Sequence, residues 1–190
     1  GPLVIGNFTG STVIAGNATK SLFAFKTTGD VTGGQINISS LANTNGKSEV
    51  GGILINGANV TISSNLYFDS SPPGIAATSA NSTSGEGIFY VAPGMQGTLT
   101  GNLFARGLTK FGAGTLVFNG ANEILGNVTV QGGTLKIGSG ALATTFATPL
   151  AVNSNGVLDL NGLSYAFDSL GTTGGAAGGV ITGTTNSELI

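Results

Sequence analysis

The chain has 190 residues, a formal net charge of −2, 40% hydrophobic residues and only 7% charged residues. With six Lys and Arg residues in total, the composition excludes an extended basic surface for nucleic acid or for an anionic membrane. The absence of Cys and His excludes disulfides, thiol nucleophiles, His-based triads and most zinc sites. The 34 glycines and the few charges are typical of many short strands separated by tight corners.

Short strands are predicted along the whole chain. The first two residues, Gly1-Pro2, are interpreted as a remnant of tag removal, and residues 3–190 are predicted to form a single segment. Strands are predicted, in chain order, at residues 12–15, 22–25, 35–38, 60–63, 66–68, 88–91 and 128–130. Residues 69–87, which are polar and contain Pro72-Pro73, are predicted to leave the regular fold as a loop. Only residues 140–145 suggest a turn or two of helix.

A repeated tripeptide organises the second half of the chain. Gly-Thr-Leu begins at Gly97, Gly114 and Gly133, and a near copy begins at Gly156. Residues 114–120 and 156–162 continue as a strand that ends in Asn-Gly, and residues 52–57 are a shorter version. Successive copies are roughly 17 to 23 residues apart, which is close to one coil of a β-solenoid and favours that fold. Asn-Gly also suits two-residue hairpins, so an antiparallel sandwich is the alternative, although its strands recur at roughly 8–12 residues.

The strand period of two assigns side chains to a core and to a surface. Lys136 and Asp159 should face water, so their apolar neighbours should face inward. Asn and Gly at the corners tolerate the left-handed backbone that tight bends require, and Gly114, Gly133 and Gly156 are predicted at bends or close backbone contacts. The residues predicted to stack in one core are Leu116, Phe118, Leu135, Ile137, Leu158 and Leu160.

No group of residues predicts catalysis, a cofactor or a metal. Asp159 and Asp168, the closest acidic pair considered for glycoside hydrolysis, are nine residues apart and are better interpreted as solvated acids. The segment Asp159-Leu160-Asn161-Gly162 resembles the start of a calcium loop but lacks the later ligands, which favours a strand ending in a corner. The sequence therefore predicts no catalytic, cofactor-binding or metal-binding residues.

Two aromatic pairs predict the one candidate ligand surface. In Tyr67-Phe68 and Phe89-Tyr90 one ring should face inward and the other outward. Tyr67 and Tyr90 are separated by roughly 23 residues, close to one coil, so both tyrosines could form a platform for sugar rings. The competing interpretation is a core of phenylalanines with partly exposed tyrosines, and we favour it.

Residues 108–116, Leu-Thr-Lys-Phe-Gly-Ala-Gly-Thr-Leu, resemble the autotransporter-associated β-strand repeat, also called the passenger-associated transport repeat. The similarity continues through Phe118-Asn119-Gly120 and the second Gly-Thr-Leu at Gly133, and it is clearest over residues 108–138. The resemblance implies a right-handed parallel β-helix in a bacterial protein that is secreted or displayed at the cell surface. At roughly 23 residues per coil, we expect about eight coils.

The predicted function is that of a non-catalytic structural segment, a rigid stalk or passenger. The alternative is a glycan-binding or adhesin module that uses Tyr67, Tyr90 and residues 69–87, and the third candidate is a polysaccharide lyase or hydrolase. The expected partners are neighbouring repeats of the parent protein, with surface glycans or other cells under the alternative. No nucleic acid and no membrane insertion are expected. Unpaired backbone at the end coils predicts weak end-to-end self-association.

Overall fold

The computed structural model describes residues 5–15, 19–38, 49–68, 85–138, 146–175 and 177–190. All regular structure in these ranges is β-strand, and none of it is a helix that could cross a membrane. The predicted helical turn at residues 140–145 lies outside the described residues, as do residues 69–84 of the predicted loop.

The strands are short and follow one another through tight corners. In chain order they are β1 (Ile5–Phe8), β2 (Thr12–Val13), β3 (Thr19–Leu22), β4 (Ala24–Thr27), β5 (Val31–Thr32), β6 (Gln35–Ile38), β7 (Glu49–Ile55), β8 (Asn59–Ile62), β9 (Asn65–Tyr67), β10 (Gly85–Val91), β11 (Gln96–Leu99), β12 (Leu103–Ala105), β13 (Gly107–Phe111), β14 (Thr115–Phe118), β15 (Asn122–Ile124), β16 (Val128–Ile137), β17 (Phe146–Asp159), β18 (Ser164–Tyr165), β19 (Phe167–Gly171), β20 (Val180–Thr182) and β21 (Glu188–Leu189). Residues 85–87, the end of the predicted loop, belong to β10.

The strands stack into a parallel β-helix with three faces. Face A consists of β1, β4, β7, β10, β13, the first half of β16, the first part of β17, and β19. Face B consists of β2, β5, β8, β11, β14, the second half of β16, the last part of β17, and β20. Face C consists of β3, β6, β9, β12 and β15. The strand ladders in the described ranges are all parallel, which confirms the solenoid and is incompatible with the antiparallel sandwich.

The strands of face A in the described ranges mark eight coils, which we call rungs 1 to 8. Leu108, Val128 and Leu150 are register partners on rungs 5, 6 and 7, so each of these coils uses roughly 20 residues. The coil from Ala24 to Gly52 is longer, and the coil from Gly52 to Ile88 is longer still. Extra residues separate β6 from β7 and β9 from β10. The predicted length per coil therefore holds for the second half of the chain and fails for rungs 2 to 4.

The predicted core is confirmed. Leu116, Leu135 and Leu158 are register partners on successive rungs of face B, and each is at most 1% exposed. Phe118 and Ile137 form a second buried column beside them, and Leu160 is also buried. Because similar side chains stack on one another, every rung buries its apolar side chains against those of its neighbours. A repeat protein builds one continuous core in this way.

The predicted outward pair is also confirmed, and it carries an ion pair. Lys136 and Asp159 are register partners on the outer side of face B, with Lys136 Nζ 3.2 Å from Asp159 Oδ2. Asp159 Oδ1 also accepts a hydrogen bond from the Asn161 backbone N–H at 2.9 Å. This contact turns the chain into the Asn161-Gly162 corner, where both residues have positive φ, 52° and 83°. The calcium-like segment is therefore a corner, as predicted.

Not every Asn-Gly corner has a left-handed backbone conformation. At Asn119-Gly120 neither residue has positive φ, contrary to the prediction. A Cβ on Gly120 would clash with the carbonyl oxygen of Gly101 on the preceding rung. Glycine is required here because stacked corners approach each other closely, not because the local backbone is left-handed. A Cβ added to Gly114 or to Gly156 would clash with carbonyl oxygens in the same way, which confirms the close backbone contacts predicted there.

One register that the repeated tripeptides suggest and one predicted strand differ from the structure. Gly97 is the register partner of Leu116, and Gln96 that of Thr115, so the repeated Gly97 and Gly114 do not lie opposite each other. The true register differs by two residues from the one that the tripeptides suggest. Such a shift keeps the same side chains inward, so the alternation could not detect it. The predicted strand at residues 22–25 is divided at Phe23, where the chain bends from β3 into β4, because its unbroken apolar run hides the corner.

Candidate functional site

The acidic residues do not converge in the parts of the chain that the structure describes. Asp159 lies on face B, whereas Asp168 is exposed in β19 on face A. No three Asp or Glu side chains among the described residues are close enough to hold a metal ion. The described geometry therefore brings Asp159 and Asp168 into no common groove of the kind that glycoside hydrolysis uses.

The two aromatic pairs alternate as predicted. Phe68 and Phe89 are fully buried, and their ring centroids are 5.5 Å apart in the core. Tyr67 and Tyr90 are partly exposed on the outside. Each pair thus anchors one ring in the core and presents the other to solvent.

The two tyrosines lie on different faces. Tyr67 is on face C, where its ring lies tilted against that of Phe104 on the next rung, with centroids 6.5 Å apart. Tyr90 is on face A, where its ring meets Phe111 of the next rung edge-on at 5.0 Å. The structure does not bring the tyrosines together, because the chain between them falls short of a complete rung. The register partner of Tyr67 is Phe104, which lies well beyond Tyr90 in the sequence.

A groove lies on the outer side of face A. Its outer positions form two columns along the stacking axis. Column 1 consists of Ile5, Ala24, Gly52, Ile88 and Thr109. Column 2 consists of Asn7, Lys26, Leu54, Tyr90 and Phe111. Ala24 and Gly52 leave a depression between the larger Ile5 and Ile88, bordered by column 2, with a volume of about 440 Å³.

The chemistry of this groove is apolar. Its lining is hydrocarbon and aromatic, and Lys26 and Tyr90 carry the polar ends at its border. Its volume is in the range of ligand sites, roughly 300–1,000 Å³. It offers few hydrogen-bonding groups for sugar hydroxyls, so it suits an aliphatic or aromatic side chain better than a glycan. The groove is not visible in the sequence, because the positions that form it are separated by unequal lengths of chain.

The repeat motif contains a buried cation. Lys110 lies on β13 between Thr109 and Phe111 and is 0% exposed. Its Nζ donates hydrogen bonds to the backbone carbonyls of Phe111, Gly112 and Gly132, at 3.1, 2.8 and 2.9 Å. The Phe111 carbonyl ends β13, the Gly112 carbonyl begins the corner after it, and the Gly132 carbonyl belongs to rung 6. Lys110 therefore joins two neighbouring rungs at one corner.

Burial lowers the pKa of Lys110 to about 8, because removal from water disfavours the charged form. At neutral pH the side chain is still mostly an ammonium group with three N–H donors, which matches the three carbonyl acceptors. The role of Lys110 in this geometry is to satisfy backbone groups at a corner. In the sequence this lysine stands out only as part of the motif. The sequence signal for its burial is the strand alternation. Leu108, two residues earlier, is buried, and residues two apart on a strand face the same side.

Comparison with known proteins agrees with this architecture. Residues 108–142 match the family described as the passenger-associated-transport-repeat, which confirms the resemblance. The chain is also similar to the adhesin BmaC autotransporter of Brucella suis biovar 1 (strain 1330), with 30% identity over 174 residues. The similarity covers 91% of this chain but only 5% of that relative. No solved structure matches the chain significantly.

Proposed function

Because the chain contains a passenger-associated transport repeat and is part of a secreted or surface-displayed bacterial protein, we propose that it is a non-catalytic, rigid stalk segment of the passenger. The observation that carries this proposal is the uninterrupted core. Columns of buried residues run from rung to rung, and parallel ladders join the rungs on all three faces. At about 4.8 Å per rung, eight rungs make a rod section of about 34 Å.

The rigidity of this segment can be measured by pulling it between its two ends in a single-molecule force experiment. Because every rung is bonded to the next, we expect no extension until rungs detach, followed by stepwise lengthening in units of about 20–40 residues. Smooth extension at low force would contradict a stalk. The variant Lys136→Met, which changes only the outer side of face B, should show the same pattern as the wild type.

The partners we propose for the end of the stack are neighbouring repeats of the parent protein. Leu170 continues the column of Val128 and Leu150, which are both buried, yet Leu170 itself is 55% exposed on rung 8. Ile181 likewise continues the column of Leu158. A further rung would cover both side chains and pair with the outer edges of β19, beyond Phe167, and of β20.

The same open edges predict weak end-to-end association of the isolated segment. Strand edges template further pairing, and with so few charges there is little ionic attraction to screen. Sedimentation over a wide concentration range should show reversible association that changes little between low and high salt. Association that disappears at high salt would contradict strand pairing as its cause.

A glycan-binding or adhesive module is the second candidate function. Two observations favour it: the relative is named as an adhesin, and aromatic rings are presented outward at Tyr67 with Phe104 and at Tyr90 with Phe111. A glycan array distinguishes the candidates. The stalk predicts no specific signal, whereas the adhesive module predicts signals that Tyr67→Ala or Tyr90→Ala removes. Depolymerisation of acidic polysaccharides by the wild type would instead support the third candidate, a polysaccharide lyase or hydrolase.

A further inference from the structure

The outer side of face C carries two aromatic rings in one column. Tyr67 on rung 3 and Phe104 on rung 4 are register partners. The column continues to Asn37 on rung 2 and to Glu123 on rung 5. The first three side chains along it are partly exposed, and Glu123 is exposed. We call these four residues the ring column.

Two amide side chains lie beside the rings. Asn65 and Asn102 each precede a ring of the column by two residues, so strand alternation directs them to the same outer side. Asn65 Oδ1 accepts a hydrogen bond from the Asn102 backbone N–H at 3.0 Å, which holds the Asn65 side chain between two rungs. Among the described residues, the Asn65 side-chain N–H groups and the Asn102 side-chain amide have no hydrogen-bond partner. These groups are left to bond a ligand.

The rings of face C are less covered by each other than those of face A. Two rings stacked face to face on neighbouring rungs would have centroids about 4.8 Å apart. Tyr67 and Phe104 are 6.5 Å apart with planes tilted by 35°, so the rings are displaced and each leaves part of its face uncovered. Tyr90 and Phe111 meet edge-on at 5.0 Å, so the edge of one ring covers the face of the other. Face C therefore offers the better aromatic platform.

We propose that the outer side of face C binds an extended, neutral polysaccharide that lies along the stacking axis with one sugar unit on each rung. The carbon-bound hydrogens of a sugar ring are slightly positive and pack against the negative face of an aromatic ring. Amides suit sugar hydroxyls because both donate and accept hydrogen bonds. The rung spacing of about 4.8 Å is close to the length of one sugar unit in an extended chain. This site rests on the adhesive module, the second candidate function above, and specifies its face and its ligand class.

The charges on face C favour a neutral chain over an acidic one. On rungs 2 to 5 the strands of face C contain no Lys or Arg and one carboxylate, that of Glu123. Arg106 lies at the corner after β12 and has an interaction partner of its own. A carboxylate at one end of the ring column repels uronate or sulfate groups, and such like-charge contacts exclude wrong partners.

The first test compares the rings of the two faces. Cellohexaose, a flat neutral chain, is titrated into the protein and binding is followed by NMR. Tyr67→Val and Phe104→Val remove a ring but keep a residue that suits a strand, and each should weaken binding about tenfold. Tyr67→Phe keeps the ring and should bind like the wild type. The matched controls Tyr90→Val and Phe111→Val remove rings from face A and should also bind like the wild type.

An amide variant tests the same site with every ring in place. Asn102 is exposed and precedes β12, so Asn102→Ala should leave the fold intact. We expect it to weaken cellohexaose binding about threefold, the effect of losing one hydrogen bond to an uncharged group. Circular dichroism checks that each variant is folded. If folded Asn102→Ala, Tyr67→Val and Phe104→Val all bind like the wild type, the face C site is excluded.

The second test measures the direction of the bound chain. Rungs 2 to 5 span about 14 Å along the stacking axis. Affinity should therefore rise from cellobiose to cellotetraose and change little from cellotetraose to cellohexaose. A chain lying across the strands would meet only two outer positions on each rung, and its affinity would level off at cellobiose. That result would overturn the lengthwise arrangement.

The third test concerns charge. A galacturonate hexasaccharide should bind the wild type more weakly than cellohexaose does. Glu123→Gln should strengthen binding of the acidic hexasaccharide and leave binding of cellohexaose unchanged, since it removes only the repulsion. Preference of the wild type for the acidic hexasaccharide would overturn the assignment to neutral chains.

Failure of this site can be told from failure of the adhesive module. If Tyr90→Val abolishes glycan binding while Tyr67→Val and Phe104→Val retain it, face C is excluded and the adhesive module stands. If the wild type binds neither the neutral nor the acidic oligosaccharides and gives no signal on a glycan array, the site and the adhesive module are both excluded. The stalk is unaffected by either result.

Discussion

Gly133→Val is expected to be the most damaging single substitution at the repeat corners, lowering the free energy of unfolding by more than about 4 kcal/mol. Gly133 has a φ of 64°, which a β-branched residue adopts only at high cost. A Cβ at this position would also clash with the carbonyl oxygens of Gly112 and Gly114 on the preceding rung. Both obstacles involve backbone, so rungs 5 and 6 would have to separate.

The neighbouring glycine provides the control for this substitution. Gly132 has no positive φ, and the nearest atoms to a Cβ there are 3.8 Å or more away. Gly132→Val should therefore cost much less than Gly133→Val. Urea unfolding followed by circular dichroism is suitable, because the chain has no tryptophan. Equal midpoints for the two variants would contradict the corner geometry.

Lys110→Met is expected to lower the free energy of unfolding by about 3 kcal/mol. Methionine has a similar length and fills the same space, but it has no donor for the carbonyls of Phe111, Gly112 and Gly132. Each buried carbonyl left without a donor costs about 1–3 kcal/mol. Part of this total cost is offset, because the variant no longer buries a charged ammonium group. Lys136→Met removes the same functional group from the outer side of face B, where a single exposed ion pair contributes less than about 1 kcal/mol.

The pH dependence of stability offers an independent measurement of Lys110. Its pKa is about 8 in the folded chain and 10.5 in the unfolded chain, so between these values the unfolded chain binds more protons at this site. The contribution of Lys110 to stability therefore rises from pH 8 to pH 10.5 and is constant below pH 8. The difference in unfolding free energy between wild type and Lys110→Met should widen in that window. Other groups titrate there too, but they are common to both chains. A constant difference would contradict the buried position of the ammonium.

Inward and outward side chains of the same rungs differ in what they can contact. The inward side chains, such as Leu116 and Leu135, hold the rungs together and are inaccessible to any partner. The outward side chains on face A, such as Ile88 and Tyr90, contribute little to the core and are available for contact. The alternation of the strands thus separates the side chains that hold the rungs together from those that face solvent.

Local pattern in the sequence determined the fold class and much of the core. Alternation places Leu135 inward and Lys136 outward whatever the rest of the chain does, because strand period is a property of the backbone. The spacing of Gly114 and Gly133 predicted which residues stack, since rungs 5 and 6 contain no insertion. The Asn161-Gly162 corner was predictable for a related reason, because its geometry lies within a few residues of chain.

Register between rungs of unequal length was decided only by the tertiary structure. The position of Gly97 opposite Leu116, and the separation of Tyr67 from Tyr90 onto different faces, depend on how much chain each corner consumes. The groove has the same origin, because its small and large residues become neighbours across the two longest coils. Lys110 required the structure because a buried lysine is tolerated only where three carbonyls from two rungs converge, and alternation cannot foresee that convergence.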